Sequence, residues 1–270
     1  ILPVLRNRAS PRGTAGRCDA FPGHGHEAAH RAARTGRATK GRPPMSKILI
    51  LSTAHDALGD TGKKTGVWLE ELAAPYFALA DGGHKVTLAT IGGAPIPIDP
   101  NSEPAEEDSS ESARRFKGDN DAMALLEKPA RLSDQSPGDF DAIIIPGGHG
   151  AVWDLAASDE VAGFLAEAWR QEKVIAALCH GPAALTGVNI DGQPLVKGMK
   201  LTAFTDAEEQ AMELDETVPF LLESRLREQG AEFQPGDNFQ SKTVVDGRLI
   251  TGQNPASSDA LAVLLMERLG

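Results

Sequence analysis

The 270-residue sequence has too few cysteines for a disulfide-rich protein and no apolar run long enough for a membrane-spanning one. It contains only Cys18 and Cys179, which do not make a disulfide framework in a chain of this length. No stretch of about 18 apolar residues occurs, so no transmembrane helix is expected. Residues 1–44 also lack the continuous apolar segment of a secretory signal. These absences favour a cytoplasmic protein that does not contact a membrane.

Positive charge is scarce outside the first 44 residues. The net charge is −11, but residues 1–44 carry nine basic side chains and two acidic ones, which leaves −18 on the remainder. Because phosphate contacts require a basic surface, this balance argues against nucleic acid as a partner.

Residues 1–44 are rich in Arg, Gly, Ala and Pro and have little apolar periodicity. We predict that they form a disordered basic extension and that the folded domain spans residues 45–270. Two alternatives are an upstream segment that is not native to the protein and an Arg-rich, acidic-poor transit peptide.

Short apolar strands alternate with amphipathic helices along the predicted domain. Buried strands are predicted at 48–51, 85–89, 142–145 and 174–179, helices at 66–82, 158–171 and 218–230, a hairpin at 243–251, and a last helix capped by Asn254. This alternation predicts an α/β fold, a single domain whose mostly parallel sheet has helices on both faces.

Residues 92–138 interrupt the alternation. They contain four prolines between positions 95 and 104, then an acidic, Ser-rich stretch and a short helical piece around 119–127. We predict an insertion that runs over the surface of the domain, in the position of a lid or an interface.

Cys179 ends a buried apolar strand and is followed at once by a predicted helix with Pro182 in its first turn. A side chain at such an elbow points out of the turn, as a catalytic nucleophile does. The amide dipoles of the helix N-terminus favour the thiolate, and Gly181 allows the tight turn. The alternative is a small buried cysteine without chemistry. The CHGP run directly after the strand favours the nucleophile.

Backbone amides at the same edge of the sheet are candidates for an oxyanion hole. The His180 N–H is well placed for this role, and Gly147 and Gly148 let the backbone approach a ligand closely. Gly181 is a third glycine predicted to bind the oxyanion or the substrate. Because adjacent side chains diverge, the His180 ring is not required to touch the thiol. The alternatives are an ordinary turn at the glycines and a structural hydrogen bond from His180.

Glu70 and Glu71 are neighbours on a predicted helix, so their side chains point about 100° apart and only one faces the sheet. Val67, Pro75 and Ala78 share the inward stripe with Glu71. A carboxylate on a buried face is costly unless it has a partner or a function. The alternative is that both glutamates lie on a solvated helix face.

Cofactor motifs are absent from the sequence. It contains no P-loop and no zinc-ligand spacing, and its glycine pairs do not match a dinucleotide fingerprint. We therefore expect neither a cofactor nor a metal.

Six segments of the chain form a recognisable series: KTGVWLEEL at 64–72, IPIDPNS at 96–102, IIPGGHGAVWDL at 144–155, AALCHGPAAL at 176–185, LTAFTDAEE at 201–209 and DGRLITGQNPASS at 246–258. In this order they resemble the PfpI-like, class I glutamine-amidotransferase-like superfamily, and within it the branch of glyoxalase III enzymes and stress chaperones.

The resemblance implies a flavodoxin-like fold, a homodimer and three roles at the site. Cys179 is implied to be the nucleophile, and Glu71 an acid that shares a proton with the thiol. His180 and Glu209 are implied to complete a Cys-His-acid arrangement, with Asp206 as the alternative acid. No histidine follows His180, whereas class I amidotransferases place theirs far downstream, which argues against glutaminase chemistry.

The activity that the resemblance implies is the conversion of methylglyoxal and related 2-oxoaldehydes to 2-hydroxy acids such as D-lactate, without glutathione. The alternatives are a stress-related holdase with an exposed apolar patch and a protein deglycase or amidase that uses the same thiol.

Overall fold

The computed structural model describes residues 45–103 and 109–270. Residues 1–44, for which a disordered extension is predicted, lie outside the described residues, as does the 104–108 part of the predicted insertion. Among the described helices, none is long and apolar enough to cross a membrane.

The strands belong to one large sheet and two small ones. They are β1 (Lys47–Leu51), β2 (Lys85–Thr90), β3 (Ala130–Arg131), β4 (Ala142–Ile145), β5 (Val174–Leu178), β6 (Asn189–Ile190), β7 (Gln193–Pro194), β8 (Lys200–Leu201), β9 (Glu232–Phe233), β10 (Thr243–Asp246) and β11 (Leu249–Gly252). The large sheet has the order β10-β11-β5-β4-β1-β2-β3, and every pairing in it is parallel except the β10–β11 hairpin. The small sheets pair β6 with β7 and β8 with β9.

The helices are α1 (Leu69–Gly82), α2 (Glu111–Gly118), α3 (Asn120–Glu127), α4 (Gly150–Trp153), α5 (Asp159–Arg170), α6 (Asp206–Ala211), α7 (Leu222–Glu228) and α8 (Ser258–Leu269). Helices α1, α2, α3 and α8 contribute to one apolar layer, and α4, α5 and α7 to another.

The two layers follow from the alternation of side chains along each strand. In β1, Ile48 and Ile50 belong to one layer and Leu49 and Leu51 to the other, and all four are fully buried. Strands with both faces covered require continuous apolar runs, which is what the sequence shows. The predicted α/β fold, a mostly parallel sheet with helices on both faces, is confirmed.

The 92–138 segment contributes more to the core than a surface insertion would. Phe116 of α2 and Leu126 of α3 are buried in the same layer as α1, and β3 extends the sheet beside β2. Because amphipathic α2 and α3 each bury an apolar face, the segment packs as part of the domain. The prediction of a segment lying over the surface was wrong for these helices.

Two further details differ from the sequence prediction. The chain after Cys179 forms a short 3-10 helix over Gly181–Leu185. Asn254 makes no capping hydrogen bond: its Oδ1 accepts from the Ser257 hydroxyl at 3.3 Å, and its side-chain NH2 donates to Glu208 Oε1 at 2.8 Å and to the Gln240 carbonyl at 2.9 Å.

Candidate active site

Cys179 lies at the carboxyl end of β5 in a strained turn. Its φ is 57°, in the left-handed region that a residue with a Cβ rarely adopts. Its N–H donates to the Gly252 carbonyl and its carbonyl accepts from the Phe204 N–H, both at 2.9 Å. These bonds hold the turn in place, and the Cys179 side chain is only 3% exposed. The strand-to-helix elbow is therefore present in the structure.

The His180 ring connects the thiol to a carboxylate. Its Nδ1 lies 3.3 Å from Cys179 Sγ, and its Nε2 lies 2.8 Å from Glu209 Oε2. The expectation that adjacent side chains diverge was wrong here. That expectation applies to regular backbone, whereas Cys179 has left-handed backbone angles.

His149 also contacts Glu209, and the sequence pattern indicated no role for it beyond the glycine turn. Its Nε2 lies 2.8 Å from Glu209 Oε1, and its ring centroid is 4.1 Å from that of His180. The available signal was its position, two residues after Gly147 at the end of β4, a strand adjacent to β5. Side chains that follow neighbouring parallel strands converge at one edge of the sheet.

The charge of Glu209 determines which ring nitrogens carry protons. Burial opposes ionisation of Glu209, but His180 and His149 outweigh it and hold the carboxyl pKa below its usual value. An ionised carboxylate only accepts, so both imidazoles donate from Nε2. Burial, followed by the charge of His149, lowers the pKa of His180. The ring is then neutral, with Nδ1 free to accept the Cys179 proton.

Glu71 reaches the thiol from α1 and has a different environment. It is fully buried, its Oε2 accepts from the Gly147 N–H at 2.7 Å, and its Oε1 has no hydrogen-bond partner among the described residues. Burial raises the pKa of Glu71 to about 8, although the Cys179 thiol and the Gly147 amide act in the opposite direction. The carboxyl is therefore protonated at neutral pH, whereas its neighbour Glu70 is partly exposed.

The resting thiol differs from the prediction. Burial and then Glu71 raise the pKa of Cys179 well above its usual value, although a hydrogen bond from the Gly148 backbone lowers it. The prediction that helix dipoles favour a thiolate was wrong for the resting state. The short 3-10 helix after Cys179 does not offset the burial of the sulfur.

The three glycines predicted at the oxyanion site have different surroundings. The Gly147 N–H is already bonded to Glu71, which contradicts its prediction as an oxyanion donor. Gly148 lines the pocket, and a Cβ there would lie 2.1 Å from the Gly66 carbonyl oxygen. A Cβ at Gly181 would lie 2.1 Å from the Ile145 carbonyl oxygen, so Gly181 permits close packing of the elbow.

Glu209, rather than Asp206, meets His180. The Asp206 carboxylate accepts from the Ser224 hydroxyl at 2.5 Å and from the Ser224 N–H at 3.3 Å. Asp206 thereby ties the start of α6 to α7. The Glu209 side chain lies almost one turn further along α6 and faces the two histidines.

His149, His180 and Glu209 are also a set of possible metal ligands, with their ligand atoms within 4.8 Å of one another. In this arrangement each carboxylate oxygen already accepts one imidazole N–H, so a cation would have to replace both hydrogen bonds. The set therefore fits a hydrogen-bonded network better than a metal centre. The absence of a resident metal stays a prediction.

A cavity of about 250 Å³ opens onto the thiol. Its wall includes Gly148, His149, Cys179 and His180, the residues around the thiol. The rest of its wall is apolar and consists of Trp68, Phe204, Met212, Phe239 and Pro255. The arrangement supports addition of a thiol to an electrophilic carbon, with a proton acceptor on one side and a protonated carboxyl on the other.

Comparison with curated proteins finds relatives that match along most of their length. Glyoxalase 3 of Candida albicans is 29% identical over 79% of this chain and 94% of its own. Glutathione-independent glyoxalase HSP31 of Saccharomyces cerevisiae is 27% identical over 84% and 98%. Protein/nucleic acid deglycase HchA of Staphylococcus aureus is 27% identical over 82% and 79%.

Solved structures give the same result. The crystal structure of Rapid Encystment Protein 24 KDa from Francisella tularensis has a TM-score of 0.80 and 34% identity, covering 84% of this chain and all of that one. Glyoxalase III from Candida albicans has a TM-score of 0.73 and 28% identity, covering 83% and 97%. The DJ-1/PfpI family profile matches residues 64–268. The chain belongs to the DJ-1/PfpI family.

Proposed function

We propose that this protein is a glutathione-independent glyoxalase that converts methylglyoxal and related 2-oxoaldehydes to 2-hydroxy acids. The observation that carries the proposal is the position of the Cys179 thiol between His180 Nδ1, at 3.3 Å, and the buried carboxyl of Glu71. The similarity to glyoxalase 3 of Candida albicans and to glutathione-independent glyoxalase HSP31 of Saccharomyces cerevisiae supports it.

The first step is addition of the thiol to the aldehyde carbon. His180 Nδ1 accepts the S–H proton as the sulfur–carbon bond forms, and Glu209 stabilises the resulting imidazolium. Glu71 donates its proton to the aldehyde oxygen, which gives a hemithioacetal. A neutral resting thiol suits this order, because the proton leaves only when the acceptor carbon is in place.

The second step moves hydrogen between the two substrate carbons. Glu71, now a carboxylate, removes the proton from the former aldehyde carbon, and the imidazolium protonates the neighbouring ketone oxygen to give an enediol. Glu71 then returns its proton to the second carbon, while the hydroxyl proton of the first carbon goes back to His180. The product is a thioester of a 2-hydroxy acid.

The last step is hydrolysis of the thioester. Water adds its hydroxyl to the acyl carbon and gives its proton to Glu71, and His180 returns a proton to the leaving sulfur. The 2-hydroxy acid is released, and the thiol, the neutral imidazole and the protonated carboxyl are restored. Each step uses only groups of this chain and water.

Lactate formation from methylglyoxal in the absence of glutathione tests the proposal. We expect Cys179→Ala to abolish turnover and Glu71→Gln to lower kcat/KM by roughly 10²–10⁴-fold, the usual contribution of a positioned acid–base group. Glu70→Gln is the matched control, because Glu70 is the partly exposed neighbour of Glu71 on the same helix.

Unchanged lactate formation in Cys179→Ala would refute the proposal. An equal loss in Glu70→Gln and Glu71→Gln would place the effect in the stability of α1 instead of in the chemistry. Thermal unfolding of each variant separates these two explanations.

Deglycation by the same thiol is the second candidate, because the Staphylococcus relative is named a deglycase. Release of free amine from a glycated peptide, faster than scavenging of free methylglyoxal allows, would favour it.

The holdase alternative requires an exposed apolar patch. The described large hydrophobics with high exposure are Met45, Phe239, Val245 and Val263, none of them in the predicted insertion.

Classification as a lyase, cytoplasmic location and homodimer formation belong to the same proposal. Light scattering on the purified chain measures the oligomeric state directly. The prediction that nucleic acid is not a partner also remains open to test, and the acidic composition supports it.

A further inference from the structure

Phe239 combines two features that are unfavourable for a surface residue. Its side chain is 45% exposed, although it is large and apolar, and its φ is 58°, in the left-handed region. A bulky residue keeps such backbone angles only where the surrounding structure imposes them. The Phe239 ring also lines the cavity above Cys179. The turn that carries Phe239 therefore shapes the pocket.

Glu208 holds this turn from inside the protein. Its carboxylate is fully buried and accepts the Phe239 N–H at 2.7 Å and the Asn254 amide at 2.8 Å through Oε1. Its Oε2 accepts the Thr205 N–H and hydroxyl, both at 3.0 Å. Four donors satisfy one buried carboxylate, which fixes the turn to the start of α6.

The two consecutive glutamates of α6 therefore have separate tasks. Glu209 faces the histidines beside the thiol, and Glu208 faces the turn that carries Phe239. The Phe204 ring connects the two, with its centroid 4.5 Å from the His180 ring and 6.3 Å from the Phe239 ring. An apolar, largely aromatic wall runs from the reacting sulfur to the mouth of the pocket.

We propose that Phe239 is a specificity-determining residue that selects 2-oxoaldehydes with an aryl substituent over methylglyoxal. This inference rests on the proposed glyoxalase function and deepens it by naming the substrate class. With the aldehyde carbon at Cys179, the substituent extends along the Phe204–Phe239 wall. A phenyl group packs against the rings of that wall, whereas a methyl group leaves most of the 250 Å³ cavity empty.

The test is the ratio of kcat/KM for phenylglyoxal to kcat/KM for methylglyoxal. We expect the wild type to favour phenylglyoxal and Phe239→Ala to lower the ratio about ten-fold, which is the range for loss of one apolar contact. Val263→Ala is the matched control, because Val263 is an exposed apolar residue on α8 and should leave the ratio within about two-fold.

Phe239→Gly tests whether a change in the substrate ratio results from loss of the ring or from misfolding. Glycine accepts the left-handed backbone without strain, so this variant removes the ring without weakening the turn. We expect its Tm to equal or exceed that of the wild type, while the substrate ratio falls as far as in Phe239→Ala.

A ratio that stays within about two-fold of the wild type in both Phe239 variants, with turnover of both aldehydes retained, overturns the inference and leaves the glyoxalase intact. If the wild type turns over neither aldehyde, the proposed function fails and binding of acetophenone, an unreactive aryl ketone, decides the inference. Calorimetric affinity about ten-fold weaker in Phe239→Gly than in wild type supports it, and equal affinity overturns it.

Discussion

Two buried carboxylates approach the Cys179–His180 pair from opposite sides, Glu71 from α1 and Glu209 from α6. Glu71 accepts one backbone amide at 2.7 Å, and its other oxygen has no hydrogen-bond partner in the part of the chain that the structure describes. Glu209 accepts two imidazole N–H groups, each at 2.8 Å. Burial dominates for Glu71 and raises its pKa to about 8, whereas the histidines hold the pKa of Glu209 below its usual range.

This difference assigns opposite roles to two side chains of the same type. The protonated carboxyl is the group that donates to and accepts from the substrate, and the ionised one stabilises positive charge on His180. Two titratable groups with pKa values pushed apart are a common basis for acid and base assignments. Substitution of either carboxylate should therefore remove one role and leave the other.

Removing the charge of Glu209 should have the largest effect within this comparison. Glu209→Gln leaves the imidazolium of His180 without its counter-ion, and we expect kcat/KM for methylglyoxal to fall by roughly 10²-fold or more. Asp206→Asn is the matched variant on the same helix. Because Asp206 bonds to Ser224, we expect a change of at most a few-fold. The reverse order of the two losses would identify Asp206 as the acid.

Removing His149 should have a smaller effect. His149→Ala deprives Glu209 Oε1 of its partner and removes a neighbour whose charge lowers the pKa of His180. We expect kcat/KM to fall about ten-fold and the acidic limb of its pH profile to move to higher pH, because neutral His180 is the base.

His149→Gln, which retains a side-chain N–H donor, should recover part of the lost rate. An acidic limb that stays at the wild-type pH in His149→Ala would show that His149 has no influence on His180. In that case its contact with Glu209 would be structural only.

The fold was largely predictable because the central strands β1, β4 and β5 are buried on both faces and read as short apolar runs. Such runs, separated by helical periodicity, leave few arrangements other than a covered parallel sheet. The apolar stripe that includes Val67 and Pro75 offered an inward position for Glu71 and left a solvated helix face as the alternative, and the structure buries Glu71 fully. Local pattern carries this information, since helical spacing fixes which face a residue occupies.

The contacts that define the site were less predictable because they depend on long-range convergence. His149 meets Glu209 across 60 positions of sequence, and Phe239 meets Glu208 across 31. No local spacing encodes either pair. The contact of His180 with the thiol depends on the left-handed backbone at Cys179, which a residue with a Cβ adopts only under tertiary constraint. The resting protonation of Cys179 likewise follows from burial, which the sequence suggests only coarsely.

The pH dependence of kcat/KM for methylglyoxal shows whether Glu71 acts as a protonated acid, with Glu70→Gln as the control. Glu71 must donate a proton in the first step, so activity should be lost as the pH rises through about 8, the pKa to which burial raises this carboxyl. We expect an alkaline limb near that pH in the wild type and in Glu70→Gln. A kcat/KM that stays constant or rises between about pH 7 and about pH 9.5 would contradict the role of protonated Glu71.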